Sequence, residues 1–398
     1  MSSSPRAVLT ASAAAQASVS VVAFGLPAIG PDLREAFGLS LPMLGAALGA
    51  TILGSGLFLI GAGFVVDRYG ARRSMLVGTA LGSAGLAAAG FAPGPEALIA
   101  LLFLSGAGSA VVPIAGTRAL FRAYDVDRRG WALGVRQMAV PLGGTVAALL
   151  LPGLVAIGGI RAALLGSSVL VAVAGLVFAG IAGAVEPVRV RVPFALPRLW
   201  RTPGMKRLLL VAALYIVVLQ AVVAYMVPAA RAAGFSPFVA GAAFVLVNVV
   251  AGVARIVWGR LADQGGGGHR RVRTLVEAGG VAAAGAVVFS FALAAGGPIG
   301  LLAATVVLAF GALGWNALVY VTAGERVPRE LAGQAVALAA TVVFVVAALC
   351  TPALGALAEL AGWSAFWFTA AVLALAGAAV ASTLPPGRAG PSPAPSLP

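Results

Sequence analysis

The chain has 398 residues, of which 61% are hydrophobic and only 10% are charged, and its formal net charge is +14. Soluble domains carry about 25% charged residues, so this composition excludes an ordinary soluble protein and indicates a polytopic membrane protein. The positive charge does not indicate nucleic-acid binding. The basic residues lie in short clusters between apolar runs, without the stripe of interleaved aromatic residues that such binding needs.

Twelve apolar runs are long enough for a helix to cross a bilayer, which takes about 20 residues. In chain order they cover residues 7–29, 43–66, 74–92, 97–119, 131–156, 162–184, 207–229, 237–258, 273–295, 299–322, 331–355 and 364–384. The first run follows Arg6 and resembles a secretory signal, but its length predicts a retained membrane helix. Runs this long and continuous exclude barrel strands, so we predict an all-α membrane protein.

The basic residues between the runs predict the orientation of the chain. If the N-terminus is inside, the inside segments hold 20 Lys and Arg residues, whereas the outside loops hold only Arg34, Arg161 and Arg231. This asymmetry is the positive-inside pattern. It predicts a multi-pass protein of the cytoplasmic membrane with both termini in the cytoplasm.

The longest polar stretch lies between the sixth and seventh runs and divides the chain. We predict an N-terminal six-helix half over residues 1–187, a cytoplasmic linker over 188–206 and a C-terminal six-helix half over 207–384. Phe194 and Trp200 in the linker are placed to lie at the membrane interface. The Pro-rich residues 385–398 have too little apolar surface to fold, which predicts a disordered tail.

A charged cluster interrupts the apolar pattern between spans two and three, in the sequence FVVDRYGARRSM (64–75). A shift of 196 residues aligns 38–70 with 234–266 and places Gly259 and Asp263 on Gly63 and Asp67. Gln264 stands where the first copy has Arg68. This ordered repetition predicts two pseudo-symmetric halves. In the first copy, Gly70 can take the positive φ of a tight turn.

A twelve-span chain with this cluster, and with a degenerate copy between spans eight and nine, resembles the major facilitator superfamily over residues 7–384. The resemblance implies a secondary transporter that works by alternating access. It also implies that the cluster is a latch, which closes the cytoplasmic side when the cavity opens outward. The candidate gating residues are therefore Gly63, Asp67, Arg68, Gly70, Arg72, Arg73, Gly259 and Asp263. The alternative is a topology signal combined with a helix cap.

Polar residues within the spans are the candidate substrate ligands, because paired-repeat transporters bind substrate near the midplane between the halves. The uncharged candidates also serve as hydrogen-bonding groups between helices, which is the alternative for each of them. The full set is Gln16, Arg136, Gln137, Tyr215, Gln220, Tyr225, Asn248, Arg255, Trp315, Asn316 and Tyr320.

Two arginines carry most of the substrate prediction. Arg255 lies about one turn inside the cytoplasmic end of span eight, where a guanidinium is unfavourable unless it is paired. Because guanidinium binds carboxylate in bidentate fashion, an anionic substrate would be a natural partner. The alternative is that Arg255 reaches the interface or pairs with a loop acid. Arg136 in span five is a similar case, and Arg118 lies nearer the surface.

The acidic residues all lie in loops or at span ends. The chain therefore lacks a mid-membrane carboxylate for proton relay, which weakens a drug/proton antiporter interpretation. A proton can still be a co-substrate if the carboxylate of the substrate carries it. We therefore favour a small organic or inorganic anion as substrate. The alternatives are efflux of drugs or hydrophobic metabolites by the same fold and, from a different class, a non-transporting receptor or channel.

The remaining chemistry is sparse. Cys350 is the only cysteine and His269 the only histidine, so neither an internal disulfide nor a metal cluster is expected. The glycines before His269 lack the G-K-[ST] ending of a phosphate loop. We therefore expect no cofactor and no enzymatic activity. The expected partners are a small-molecule substrate and membrane lipids, and the expected state is a monomer.

Overall fold

The computed structural model of the protein describes residues 4–182, 196–264, 268–328 and 331–385. Linker residues 188–195, which include Phe194, and tail residues 386–398 lie outside these ranges, so what the sequence predicts for them stays a prediction. Four of the arginines counted to predict the orientation of the chain also lie outside the described ranges: Arg189, Arg191, Arg329 and Arg388.

The described residues form fourteen α-helices. They are α1 (Pro5–Gly25), α2 (Gly30–Phe37), α3 (Leu41–Ala89), α4 (Pro95–Ser109), α5 (Val111–Ala123), α6 (Val126–Gln137), α7 (Ala139–Ile181), α8 (Leu196–Arg201), α9 (Met205–Ala232), α10 (Pro237–Asp263), α11 (Gly268–Ala295), α12 (Pro298–Leu313), α13 (Asn316–Glu325) and α14 (Ala332–Ser382). A 3₁₀ turn, Leu26–Ile29, links α1 and α2.

Within the described ranges, nine helical stretches are long and apolar enough to cross a membrane. Each of the twelve predicted apolar runs overlaps one of the helices. This confirms the all-α architecture. The number of nine differs from twelve because the stretches Trp131–Ile181 and Ala332–Ser382 each contain two predicted spans, and because the predicted span 74–92 is not among the nine. The count of twelve stays a prediction.

Helices α3, α7 and α14 each contain two predicted spans, which are joined by a very short turn. Inside α3 the backbone leaves the helical region only at Gly70, with φ 82°. Inside α7 it does so at Gly158 and Gly159, the latter with φ 66°. Inside α14 the turn is Gly362, with φ 78°. Glycine adopts positive φ without the clash that a β-carbon would cause. The prediction of a turn glycine at position 70 is confirmed.

Two more predicted spans are interrupted, besides the run 131–156, which is divided into α6 and α7 at Met138. The run 97–119 is divided into α4 and α5 at Ala110, and the run 299–322 is divided into α12 and α13 at Gly314 and Trp315. A β-carbon on Gly314 would overlap the indole of Trp258, so the second interruption lets this aromatic ring approach the backbone closely.

By their contacts the residues form two compact units. Unit 1 comprises Met1–Arg191, Val223–Val249 and Ala347–Gly362, and unit 2 comprises Val192–Val222, Val250–Val346 and Trp363–Pro398. Helices α9 and α10 each contribute one part to each unit, whereas α14 contributes its middle part to unit 1 and both of its end parts to unit 2. The predicted pair of six-helix halves is a division by sequence, and it stays a prediction.

The core of unit 1 contains a close crossing of α3 and α4. A β-carbon on Gly54 would overlap the carbonyl oxygen of Phe103, and one on Gly106 would overlap the carbonyl oxygen of Thr51. The hydroxyl of Ser55 donates to the Gly106 carbonyl at 3.0 Å. Small residues let helix backbones approach in membranes, where packing replaces the hydrophobic effect as the driving force. These glycines therefore determine how closely the two helices pack.

One end of unit 1 is held by polar contacts between α3, α9 and α14. The amide of Leu41, in the first turn of α3, donates to the Glu359 carboxylate of α14 at 2.9 Å. A carboxylate at a helix N-terminus interacts favourably with the helix dipole. The phenol of Tyr225 on α9 lies 3.2 Å from the Leu41 carbonyl oxygen and 2.6 Å from that of Thr351. Segments distant in sequence are thus joined at this end.

Unit 2 has an analogous close crossing of α11 and α12. A β-carbon on Gly285 would overlap Leu308, and one on Gly311 would overlap Ala282. Aromatic rings fill the space beside this crossing: Phe289 and Trp367 pack edge to face with centroids 4.7 Å apart. Edge-to-face pairs are favourable because the positive ring edge meets the negative ring face.

Candidate functional site

The most enclosed charge of unit 1 is the guanidinium of Arg136, in the last turn of α6. The residue is only 3% exposed. Its Nη2 donates to Gln16 Oε1 at 2.7 Å and to the Val112 carbonyl at 3.3 Å, and its Nη1 donates to Thr117 Oγ1 at 3.1 Å. The structure therefore brings together two residues predicted to line the substrate path, Gln16 and Arg136, which are 120 positions apart.

Part of this cluster has no hydrogen-bond partner among the described residues. Arg136 Nε and Ser12 Oγ are both buried and unpaired. Both adjoin Gly116 of α5: a β-carbon there would lie 2.5 Å from Ser12 Oγ and 2.9 Å from Arg136 Nε. Two unsatisfied donors thus pack closely against Gly116, where a β-carbon would overlap both of them. Buried polar groups are normally hydrogen-bonded, so this pair calls for an explanation.

Ser12 was not among the predicted site residues, although the sequence carries a signal for it. Ser12, Gln16 and Ser20 recur at every fourth position of α1 and so share one helix face. The hydroxyl of Ser20 donates to the Gln16 carbonyl at 2.8 Å, within the helix. Gln137, which was predicted beside Arg136, is exposed and lies outside this cluster.

Unit 2 contains a second interior arginine. Arg255 of α10 is half-buried and interacts electrostatically with the phenol of Tyr320 on α13. Asn316, one turn before Tyr320, has a buried Oδ1 without a hydrogen-bond partner in the described structure. Three of the predicted residues thus lie on two helices of unit 2. The ion pairs found among the described residues include neither Arg136 nor Arg255.

The other predicted aromatic residues pack inside the protein. The Tyr215 phenol donates to the Leu275 carbonyl at 2.7 Å, and its ring lies edge to face with Trp315, with centroids 5.6 Å apart. The indole of Trp315 donates to the Ala312 carbonyl at 2.8 Å. The bond of Tyr215 joins α9 to α11, as the alternative of interhelical hydrogen bonding describes, whereas that of Trp315 is local.

Tyr225, Gln220 and Asn248 are also buried. The Asn248 amide donates to the Phe244 carbonyl at 2.9 Å, and its Oδ1 occupies the place that a β-carbon on Gly144 would take. The phenol of Tyr225 is engaged at the end of unit 1 described above. These three side chains stay candidate ligands, but their described contacts are within the protein.

The charged turn between spans two and three carries an ion pair that the sequence did not predict. The Asp67 carboxylate accepts from Arg118 Nη2 of α5. Arg118 is the arginine that the sequence places nearer the surface than Arg136 and Arg255. In the structure it joins α5 to the end of the first span of α3. Arg72 and Arg73 are exposed. A β-carbon on Gly63 would meet no atom of the described structure within 4 Å.

The degenerate copy of this turn in unit 2 is also bridged by charge. Arg271 of α11 pairs with Glu325 at the end of α13 and lies 3.7 Å from the Asp263 carboxylate of α10. Asp67 and Asp263, which the repeat aligned, are therefore each joined to an arginine within their own unit. A β-carbon on Gly259, like one on Gly63, would meet no described atom within 4 Å.

Long apolar helices, close glycine crossings and buried cations define the chain as a multi-pass α-helical membrane protein. Its family follows from comparison: residues 8–351 match the model of the Major Facilitator Superfamily, and the chain belongs to that superfamily. The resemblance seen in the charged turn and its repeat is thereby confirmed.

Similar proteins occur in Mycobacterium tuberculosis and Streptomyces lincolnensis. An uncharacterized MFS-type transporter of Mycobacterium tuberculosis is 28% identical over 259 residues, which is 62% of this chain and 56% of the relative. The lincomycin resistance protein of Streptomyces lincolnensis is 39% identical over 94 residues, 23% of this chain and 18% of that protein. The chain therefore spans little more than half the length of the first relative.

Solved structures share the fold at low sequence identity. A D-xylose-proton symporter superposes with a TM-score of 0.77 at 14% identity, covering 96% of this chain and 98% of that one. A bacterial homolog of the human lysosomal transporter Spinster, in an inward-facing and occupied conformation, gives 0.75 at 17% identity, covering 94% and 95%. At these identities the likeness concerns the fold alone.

Proposed function

We propose that the protein is a secondary transporter that moves a small organic or inorganic anion across the cytoplasmic membrane by alternating access. The observation that carries this proposal is the buried guanidinium of Arg136, whose described partners are all neutral. Both termini are proposed to be cytoplasmic, which follows from the distribution of arginine between the spans.

The environment of Arg136 leaves its charge uncompensated. Taking an ion out of water costs several kcal/mol even after the protein relaxes, and neutral acceptors recover only part of that free energy. Gln16, Thr117 and the Val112 carbonyl are such acceptors. An anion that reaches the guanidinium would supply the missing charge, and charge-assisted hydrogen bonds are roughly twice as strong as neutral ones.

The unpaired donors suggest where an oxygen of that anion would bind. Arg136 Nε and Ser12 Oγ both pack against Gly116, so the two donors lie near each other. We propose a second set of polar contacts for the same class of substrate in unit 2, formed by Arg255, Tyr320 and Asn316. A proton would be a co-substrate of the transport cycle, bound to the carboxylate of the substrate.

A β-carbon added at Gly116 tests this function. Gly116→Ala places a methyl group between Ser12 and Arg136, and we expect the apparent KM for the anion to rise at least tenfold. The reason is that one hydrogen bond to a charged group is worth about 1.5–3 kcal/mol. Uptake of a panel of carboxylates and of phosphate is measured in proteoliposomes with and without a pH gradient.

Two controls accompany that variant. Gly134→Ala adds the same methyl group at an exposed glycine of α6, where a β-carbon meets no described atom within 4 Å, and should leave uptake unchanged. Ser12→Ala removes one donor without adding volume and should weaken uptake in the same direction. Wild-type protein that moves no anion of the panel would overturn the function. Equal uptake by Gly116→Ala and Gly134→Ala would overturn the placement of the substrate.

A second candidate function is efflux of a drug or hydrophobic metabolite. The observation that favours it is the 39% identity to the lincomycin resistance protein over 94 residues. Including lincomycin and a cationic dye in the same transport assay separates the candidates. An efflux transporter of this kind would move these compounds and would ignore carboxylates.

We further propose that the charged turn of α3 is a gate that stabilises closure at the cytoplasmic side. Within unit 1, the Asp67–Arg118 pair holds the turn against α5. Both side chains are partly exposed, and pairs of this kind contribute about 0.2–1 kcal/mol. Such an energy is too small to decide folding, but it can shift an equilibrium between two conformations.

Asp67→Asn is accordingly expected to leave the protein folded and to shift the population toward the inward-open state by about 1.4- to fivefold. Arg118→Gln should produce the same shift, and the double variant no more than either single one. Cysteine accessibility at the cytoplasmic end measures the populations. Arg122→Gln, an exposed cation one turn further along α5, is the matched control. Unchanged populations in Asp67→Asn would refute the gate.

A further inference from the structure

The short helix α8 leaves an unusual surface in unit 2. Leu199 is fully buried and anchors the helix, whereas Leu196 and Trp200 on the same helix are 39% and 47% exposed. Between α8 and α14 lies a cleft of about 570 Å³, lined by Leu196, Pro197, Trp200, Arg201 and Leu338. Four of the five lining side chains are apolar or aromatic.

The rim of this cleft is cationic. Arg201 belongs to the lining itself, and Arg198 is exposed on the preceding turn. The ammonium of Lys206, at the start of α9, lies 5.7 Å from the centroid of the Trp200 ring. The carboxylates that the structure describes form no ion pair with any of these three cations.

The position of α8 places the cleft at the depth of lipid headgroups. The helix directly precedes α9, whose apolar run begins at residue 207, and a tryptophan at such a boundary is typical of the membrane interface. An apolar cleft with cations at its rim matches a molecule with an acyl chain and an anionic head. Basic residues next to a membrane attract anionic lipids in this way.

We propose that this cleft binds one anionic phospholipid. The acyl chain lies along Leu196, Pro197 and Leu338, and the phosphate of the headgroup lies on Arg201, with Arg198 and Lys206 nearby. Phosphatidylcholine fits less well, because its choline group brings a positive charge toward three cations. The proposal does not depend on which substrate the protein moves.

Trp200 provides a built-in reporter. The full-length protein is placed in nanodiscs of phosphatidylcholine that contain brominated phosphatidylglycerol or, in parallel, brominated phosphatidylcholine at the same fraction. The signal of Trp200 is obtained as the difference between wild-type and Trp200→Phe protein. We expect the brominated phosphatidylglycerol to quench this signal at a several-fold lower fraction than the brominated phosphatidylcholine does.

Arg201→Gln should weaken the preference about fivefold, as expected for one cation near a membrane surface. The double variant Arg198→Gln with Arg201→Gln should weaken it further. Arg6→Gln, at an exposed arginine of α1, is the charge-matched control and should leave the preference intact. Equal quenching by the two lipids would overturn the proposal, because the cleft would then hold bulk lipid regardless of charge. An unchanged preference in the double variant would overturn it as well.

Discussion

Arg136→Gln is expected to weaken anion transport at least tenfold while the protein stays folded. The substitution removes the charge that would bind the substrate, and a lost charged hydrogen bond of about 1.5–3 kcal/mol corresponds to roughly 10- to 150-fold weaker binding. Removing a buried charge whose partners are neutral also removes its desolvation penalty, so the melting temperature should hold or rise.

This combination of results separates a substrate ligand from a structural residue. A purely structural Arg136 would lose stability and transport together when replaced, and that result would contradict the proposed role. Arg136→Lys keeps the charge but loses the planar fork of donors, and should retain only part of the activity. Gln137→Ala changes the exposed neighbour and is the matched control, with uptake and melting temperature expected near wild type. Uptake and thermal unfolding are measured on the same preparations.

Gly54→Leu is expected to prevent folding. A leucine side chain at this position would have to enter the backbone of α4 at Phe103 and Ala107, not merely displace a flexible side chain. Overpacking of cores costs about 1–3 kcal/mol when side chains can shift, and a helix backbone has less freedom to do so. We therefore expect a loss at or above the upper end of that range.

The matched control for this variant lies on the same helix. Gly61 is exposed, and a β-carbon there meets no described atom within 4 Å, so Gly61→Leu should fold normally with its side chain on the outer surface. Gly54→Ala is the graded variant and should fall between the two. Yield and melting temperature in detergent are compared by size-exclusion chromatography and thermal unfolding. Indistinguishable behaviour of Gly54→Leu and Gly61→Leu would contradict the close crossing.

Much of the fold could be predicted because its determinants are local. The length of an apolar run and a turn glycine such as Gly70 can be recognised from neighbouring residues alone. The turns at Gly159 and Gly362 were not recognised, because both glycines lie in sequences rich in glycine and alanine. The interruption at Ala110 could not be predicted, because no helix-breaking glycine or proline stands at that position. The composition of unit 1, which includes segments from α9, α10 and α14, depends on contacts that no local pattern reveals.

The candidate site was predicted less completely because its contacts are long-range. Gln16 and Arg136 were each singled out as polar residues inside spans, but nothing in the sequence indicates that they contact each other. Ser12 was missed although it shares a helix face with Gln16. The pair of Asp67 and Arg118 could have been anticipated, since both residues lie at span ends that the predicted topology places on the same side of the membrane.

The one-glycine turn of α3 also constrains how the chain enters the bilayer during synthesis. The two helical parts on either side of Gly70 are separated by a single non-helical residue. Neither part can insert while the other remains in water, because the connection is too short to let them separate. Each such pair therefore inserts into the bilayer as a helical hairpin. A helix that is only marginally apolar then inserts together with its more apolar partner. The same holds at Gly362 of α14 and at the turn of α7, so six of the twelve predicted crossings each insert jointly with a neighbour.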